Sequence, residues 1–272
     1  GGNYFHLYER LRDDKISRSE FDELFDGDEV ITVSHTFIAS IQVIAQAGAR
    51  PVLIDVGEDG LMDVNLIEAA ITRRTKAIMP IHLSGKVCDM PKLKAIAKKY
   101  KLAIIEDACQ ALGATQGGKQ AGSFGELGCF SFISPKLMGG FGDNGAVVTN
   151  DKKLYERLLL LRNHWNVTQG ALHGCQPKTP KNMEWGWNSR MDNIQAAALS
   201  VKLKHYPWIL KRRKEIADRY NKGLKGLGCK LPVQQPGQVY QEYIVGVNDQ
   251  KSFVEFMYEQ GVELLVRDLT PN

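Results

Sequence analysis

None of the five cysteines, Cys88, Cys109, Cys129, Cys175 and Cys229, forms a CxxC pair, and their number is odd. That argues against both a disulfide framework and a zinc site. No apolar run approaches the length of a membrane span, and the first residues carry no signal-peptide pattern. A cytoplasmic location and no membrane partner are therefore expected. Charge of one sign is scarce too: the net charge is +4, with lysine and arginine spread among acidic residues except around Lys211 to Lys214. An excess this mild excludes the signature of a nucleic-acid binder, while suiting an anionic substrate. His82, His164 and Arg190 stand at no metal-ligand spacing, and no metal is expected. Internal repeats and low-complexity tracts are also missing. What is present is ordinary globular composition, 43% hydrophobic and 24% charged over 272 residues. Such a chain can bury a core of one large and one small domain.

The first 26 residues are polar with scattered aromatics and read as an edge segment. From Asp28 the pattern alternates between apolar strands and amphipathic helices. Strands are expected at Glu29 to Val33, Pro51 to Val56, Lys76 to His82 and Leu102 to Ile105. Helices are expected at Thr36 to Ala47, Val64 to Ile71 and Pro91 to Tyr100. Strands separated by helices of this length imply βαβ crossovers and a mostly parallel sheet with helices on both faces. A further helix follows at Lys152 to Arg162, then an irregular polar stretch from Asn166 to Glu184 suited to a loop over a site. Met191, Ile194, Ala198, Val201 and His205 fall at helical spacing, and Pro207 is expected to break or kink that helix. The break sets an expected division between a large domain, 27–206, and a small α+β domain, 207–272. The small domain is expected to contain VYQEYIVGV, a helix at Ser252 to Gln260 and a strand at Val262 to Val266.

Two motifs carry chemistry. In GCFSFISPKLMGGFGDNGAVVTN, Lys136 follows an apolar strand and lies between Phe132 and Val147. Apolar neighbours that strip water from an amine favour its neutral form, the nucleophile that condenses with carbonyl groups. A solvated turn lysine is the plainer reading of this motif taken alone. In LAIIEDACQALGA, Glu106 and Asp107 fall where a strand should end, and ligands of open α/β sheets bind beyond the carboxyl ends of strands. An aspartate there can hold a buried cationic nitrogen, or it can cap a following helix. Holding such a nitrogen is what pyridoxal phosphate demands, because a protonated ring accepts the electrons left when a proton leaves the substrate carbon.

EDACQALGA followed by GCFSFISPK and GDNGAVVTND resembles the DegT/DnrJ/EryC1/StrS aminotransferases, the sugar aminotransferases of the aspartate aminotransferase fold. The likeness extends to GDEVITVSHTFIASIQVIAQAGARPVLIDV, KAIMPIHLSG and WGWNSRMDNIQAAAL, from Gly27 to Tyr220. It implies an α/β fold type I transferase dependent on pyridoxal 5'-phosphate, acting on L-glutamate and a nucleotide-linked keto sugar to give an amino sugar. It also implies a role for each matching residue. Lys136 would anchor the cofactor and move protons, and Asp107 would hold the pyridine nitrogen. Gln110 would lie near the phenolic oxygen, Ser131 would bind the phosphate, and Phe37 would stack on the ring. Asn188 would reach the phosphate of a neighbouring subunit, which makes a homodimer the expected unit. For Phe37 a place in the core of its helix, for Gln110 the surface and for Asn188 a turn before a helix are the plain alternatives. The family also carries a Gly-Thr pair ahead of the first strand; none precedes Gly27 here, and a stretch missing at that point is expected.

Three other functions compete. Sugar dehydratases of the same likeness carry histidine at the lysine position, and Lys136 argues for amino transfer. A regulatory protein that has kept the fold without activity is opposed by the joint retention of Asp107, Ser131, Lys136 and Asn188. A structural α/β domain would bind no cofactor.

Overall fold

The computed structural model describes residues 27–165 and 185–266. Its centre is a sheet of six strands, in which short runs of Val, Ile and Leu pair along the chain's first half. They are β1 (Glu29–Val33), β2 (Arg50–Ile54), β3 (Thr75–Ile78), β4 (Ala103–Asp107), β7 (Leu127–Ser131) and β8 (Gly145–Val148), in the order β2-β1-β3-β4-β7-β8. All neighbours pair in parallel except β7 with β8. A small hairpin, β5 (Thr115–Gln116) with β6 (Lys119–Gln120), lies apart from the sheet. Its turn is Gly117-Gly118, with φ of 57° and 80°, the left-handed pair that a tight hairpin requires.

The helices are α1 (Ile38–Gln46), α2 (Ile67–Ala70), α3 (Met90–Tyr100), α4 (Lys152–Leu161), α5 (Asn193–Leu224) and α6 (Gln250–Glu259). Aspartates start three of them: the carboxylates of Asp89, Asp151 and Asp249 accept from the otherwise unpaired amides of Lys92, Lys153 and Ser252. Because β1 leads outward to β2 and the chain then returns past β1 to β3, the first crossover runs opposite to the later ones. Right-handed connections therefore put α1 on one face and α2 and α3 on the other. Ile31, Ile67, Ile78, Met90 and Leu93, all with 0% exposure, form the centre of the core between these layers.

Three expectations about elements are corrected. Of the break or kink expected at Pro207, the break does not occur: the residue lies within the 32-residue α5, which crosses the expected division between residues 206 and 207. Residues 262–266 form no strand, and VYQEYIVGV contributes only an isolated bridge between Lys230 and Gly246, since a strand needs a ladder partner. The first helix starts at Ile38, leaving Phe37 as its extended N-cap. The helix expected from the spacing of Met191 to His205 is present as α5, on which Ile194 and Val201 are exposed while Leu199 and Tyr206 are buried. The expected Gly-Thr position, the edge segment and the loop at Asn166 to Glu184 lie largely or wholly outside the described residues. Among the described residues no helix is long and apolar enough to cross a membrane, and no cluster of three or more His, Cys, Asp or Glu suits a metal.

Candidate active site

Asp107 is the last residue of β4, and its backbone is fixed on both sides. Its N–H donates to Pro80 O (3.0 Å), and its carbonyl accepts from His82 N (2.9 Å). The carboxylate is equally well placed: Oδ2 accepts from Ser40 Oγ at 2.7 Å and Oδ1 from Cys109 N at 3.1 Å. Ser40 has one proton and gives it to the charged oxygen, so Thr36 Oγ1, 3.1 Å from Ser40 Oγ, is the donor in that second contact. No helix follows Asp107. Residues 108–114 are turns, and the bond to Cys109 N closes a local turn, which removes the helix-cap reading. Among the described residues no lysine or arginine pairs with this half-buried carboxylate. It retains lone pairs for a cation supplied from outside the protein.

Its neighbour Glu106 points to the other face, as alternation along a strand requires. Fully buried, it accepts four hydrogen bonds: from His82 Nε2 (2.9 Å), Gly122 N (2.7 Å), Phe124 N (2.6 Å) and Gly125 N (2.7 Å). Burial alone would raise its pKa, but His82 and the amides of Gly125 and Gly122 hold it below the ordinary carboxylate value. Nδ1 of His82 accepts from Cys88 N at 3.2 Å, so the proton given to Glu106 sits on Nε2. Burial opposes the imidazolium and Glu106 favours it; the Cys88 amide decides, since a second ring proton would face it head-on. Glu106 thus ties β4 to the loop that leads into β7.

β7 pairs with β4 so that Asp107 lies beside Cys129, and Ser131 follows on the same face at the same edge. Past Ser131 the chain enters the turn that carries Lys136. The Lys136 N–H donates to Ile133 O (2.9 Å), its carbonyl accepts from Gly139 N (2.9 Å), and Gly140 N returns to Phe132 O (2.7 Å). A Cβ on Gly139 would lie 2.1 Å from Ser134 O, so this tight return admits only glycine. Phe132, Leu137 and Met138 are buried around the half-buried lysine, whereas Val147, expected to flank it, is 48% exposed. Cys109 links the halves of the site. Burial first, and then the Asp107 carboxylate, push its thiol pKa strongly upward, while the Lys136 ammonium acts the other way.

Gln110 is buried, so the surface reading is removed. Its Oε1 accepts from Ser84 N at 2.7 Å, which fixes the amide and leaves Nε2 as a donor without a partner among the described residues. Ser84 itself adopts φ 56°, and its buried hydroxyl has no partner there either. Phe37 is 70% exposed, removing the core reading, and lies one turn ahead of Ser40. Asn188 is exposed and bridges Asn163, away from β4 and the Lys136 turn in sequence. Sequence reasoning does not single out Thr36, Ser40 or Glu106. For Glu106 a signal exists, because alternation next to Asp107 turns a charged residue into the core.

The DegT/DnrJ/EryC1/StrS aminotransferase family profile matches residues 20–267. A pleiotropic regulatory protein of Geobacillus stearothermophilus is 38% identical over 246 residues, 88% of this chain and 63% of that protein. A dTDP-3-amino-3,6-dideoxy-alpha-D-galactopyranose transaminase of Aneurinibacillus thermoaerophilus is 42% identical over 243 residues, covering 88% of this chain and 64% of the relative. The chain thus spans somewhat under two thirds of the length of these relatives. Among solved structures, DesV of S. venezuelae in complex with a ketimine intermediate superposes with a TM-score of 0.79 at 39% identity, over 89% of this chain and 64% of that one.

Proposed function

Because this chain belongs to the DegT/DnrJ/EryC1/StrS aminotransferase family, we propose that it is the core of a pyridoxal phosphate-dependent aminotransferase carrying an amino group from L-glutamate to a nucleotide-linked keto sugar. One observation carries the reading. A carboxylate with no cationic partner among the described residues ends β4, and the neighbouring strand β7 leads directly into the turn that holds a half-buried lysine. The residues fit the cofactor: Asp107 offers an acceptor to a protonated ring nitrogen, and Gln110 Nε2 offers a donor to a phenolic oxygen.

When bound, pyridoxal phosphate supplies the electron sink that makes a carbon-bound proton acidic. Asp107 would keep the ring nitrogen protonated, and Ser40, backed by Thr36, orients its carboxylate. Lys136 would anchor the cofactor and serve as the acid-base group, holding the proton that the donor's α-carbon gives up. The same amine would serve the second half of the transfer, in which the keto sugar is the acceptor. Ser131 would hold the phosphate, and exposed Phe37 would pack on the ring. Asn188 completes the phosphate site of a second subunit; the exposed Trp185, Trp187 and Ile194 nearby in sequence favour such a homodimer. A lysine, rather than histidine, at position 136 favours amino transfer over dehydration.

The test is the visible absorption of the full-length protein with pyridoxal phosphate, before and after L-glutamate. A band that fades on adding glutamate supports the proposal, and a band indifferent to glutamate overturns the donor. Lys136→Ala should lower turnover by at least about 10⁴-fold, the loss of the group that is both anchor and acid-base catalyst. Ordinary turnover by that variant removes Lys136 from the mechanism.

A further inference from the structure

The turn bearing Lys136 is not self-supporting. The two peptide groups that flank the lysine both bind one side chain from far along the chain, Gln241. Its Nε2 donates to Pro135 O at 3.0 Å, and its Oε1 accepts from Leu137 N at 2.9 Å. Gln241 is only 9% exposed, and either bond alone fixes which end of the amide is oxygen. Its own backbone is held from α5, where Arg213 Nη1 donates to Tyr240 O (2.8 Å) and Gln241 O (3.2 Å). Two residues earlier, Val239 N donates to Gly85 O at 2.9 Å. That contact is so close that a Cβ on Gly85 would fall 1.4 Å from Val239 O. Gly85 adjoins Ser84, which Gln110 holds. The segment 239–241 therefore joins the Gln110 side of the site to the Lys136 side.

We propose that Gln241 is the positioning residue of Lys136, a clamp by which the C-terminal part of the chain sets where the reactive amine stands. The proposal rests on the reading of Lys136 as the cofactor-bearing lysine. A lysine side chain is long and rotatable, so its amine can be placed reproducibly only if the backbone beneath it is fixed. Displacement of a reacting group by about 1 Å costs on the order of 10²-fold in rate. The clamp needs both a donor and an acceptor, which an amide supplies and a carboxylate does not.

Gln241→Glu isolates that requirement with almost no change of shape. The carboxylate still accepts from Leu137 N–H but opposes Pro135 C=O with a second acceptor. In the full-length holoenzyme its kcat should fall about 10²-fold while KM for glutamate stays put. Independently of turnover, the pH at which the visible band of bound pyridoxal phosphate changes should move by about one unit, a tenfold change in equilibrium. The deficit relative to the unaltered protein should shrink as pH falls, because a protonated Glu regains a donor for Pro135 O. Arg213→Met should act in the same direction but less, and serves if a change at Gln241 prevents folding. Unaltered kcat and band midpoint in Gln241→Glu and Arg213→Met, with thermal unfolding showing both folded, would overturn the clamp. Failure of the underlying reading looks different: the unaltered protein would form no band with pyridoxal phosphate, or Lys136→Ala would keep both band and turnover.

Discussion

The two sides of the site are held by different parts of the molecule. Asp107 and Gln110 are fixed by neighbours from the first half of the chain: Pro80, His82, Ser84 and, on α1, Ser40, with Glu106 binding the same strand to the loop before β7. The Lys136 turn, besides its own backbone bonds, is held by the C-terminal third. Gln241 brackets the lysine, Lys202 Nζ of α5 donates to Gly139 O, and Gln195 Oε1 accepts from Phe141 N at 3.0 Å. The ring-binding side can thus be as firm as the sheet itself, while the reactive side is only as firm as the packing of the C-terminal third against it. A catalyst built this way places its electron-sink partner through contacts from the first half of the chain and its amine through contacts from the C-terminal third.

That contrast can be broken most severely at Glu106. Glu106→Gln keeps the shape but turns an N–H₂ group toward donors that the carboxylate accepts, leaving the buried cluster unsatisfied. Stability should drop by roughly 2–6 kcal/mol, the cost of leaving two buried donors without an acceptor, as read by urea unfolding. A loss below about 1 kcal/mol would mean that the sheet side does not depend on it.

The same carboxylate gives a pH signature. Its folded pKa lies below the ordinary value of 4.5, so between the two the unfolded chain binds a proton that the folded chain does not. Its contribution is therefore fully present above 4.5 and disappears as pH falls through the lower, folded value. The urea midpoint of the unaltered protein should decline on acidification more steeply than that of Glu106→Gln; parallel curves would contradict the assignment. Smaller still is Ser40→Ala, which removes one hydrogen bond to a charged acceptor and should cost about 1.5–3 kcal/mol of stability, with Ser40→Thr recovering most of it. Equal stability of the two variants would show that the serine hydroxyl does not support Asp107.

Much of this arrangement can be read in the sequence where the causes are local. The Val- and Ile-rich runs mark the parallel strands, a strand end marks Asp107, and the glycine-rich return marks the Lys136 turn. Local signals also mislead. Pro207 suggests a break, but within a 32-residue helix packed through Leu199, Tyr206 and Ala217 the tertiary contacts outweigh one missing N–H. Residues 262–266 are a short, mostly apolar run of strand length and lack a partner to pair with among the described residues. Gln241 has no local signal at all, since its partners lie in another part of the chain and a half-apolar stretch can hide any single glutamine.

The central claim is that Lys136 carries the cofactor, and borohydride reduction of the pyridoxal phosphate complex followed by mass-spectrometric mapping tests it most directly. The account predicts the fixed cofactor on Lys136. The telling competitor is Lys86, a second buried lysine, whose pKa is lowered chiefly by that burial and whose Nζ donates to Asp59 O. Cofactor fixed on Lys86 and not on Lys136 would contradict the account.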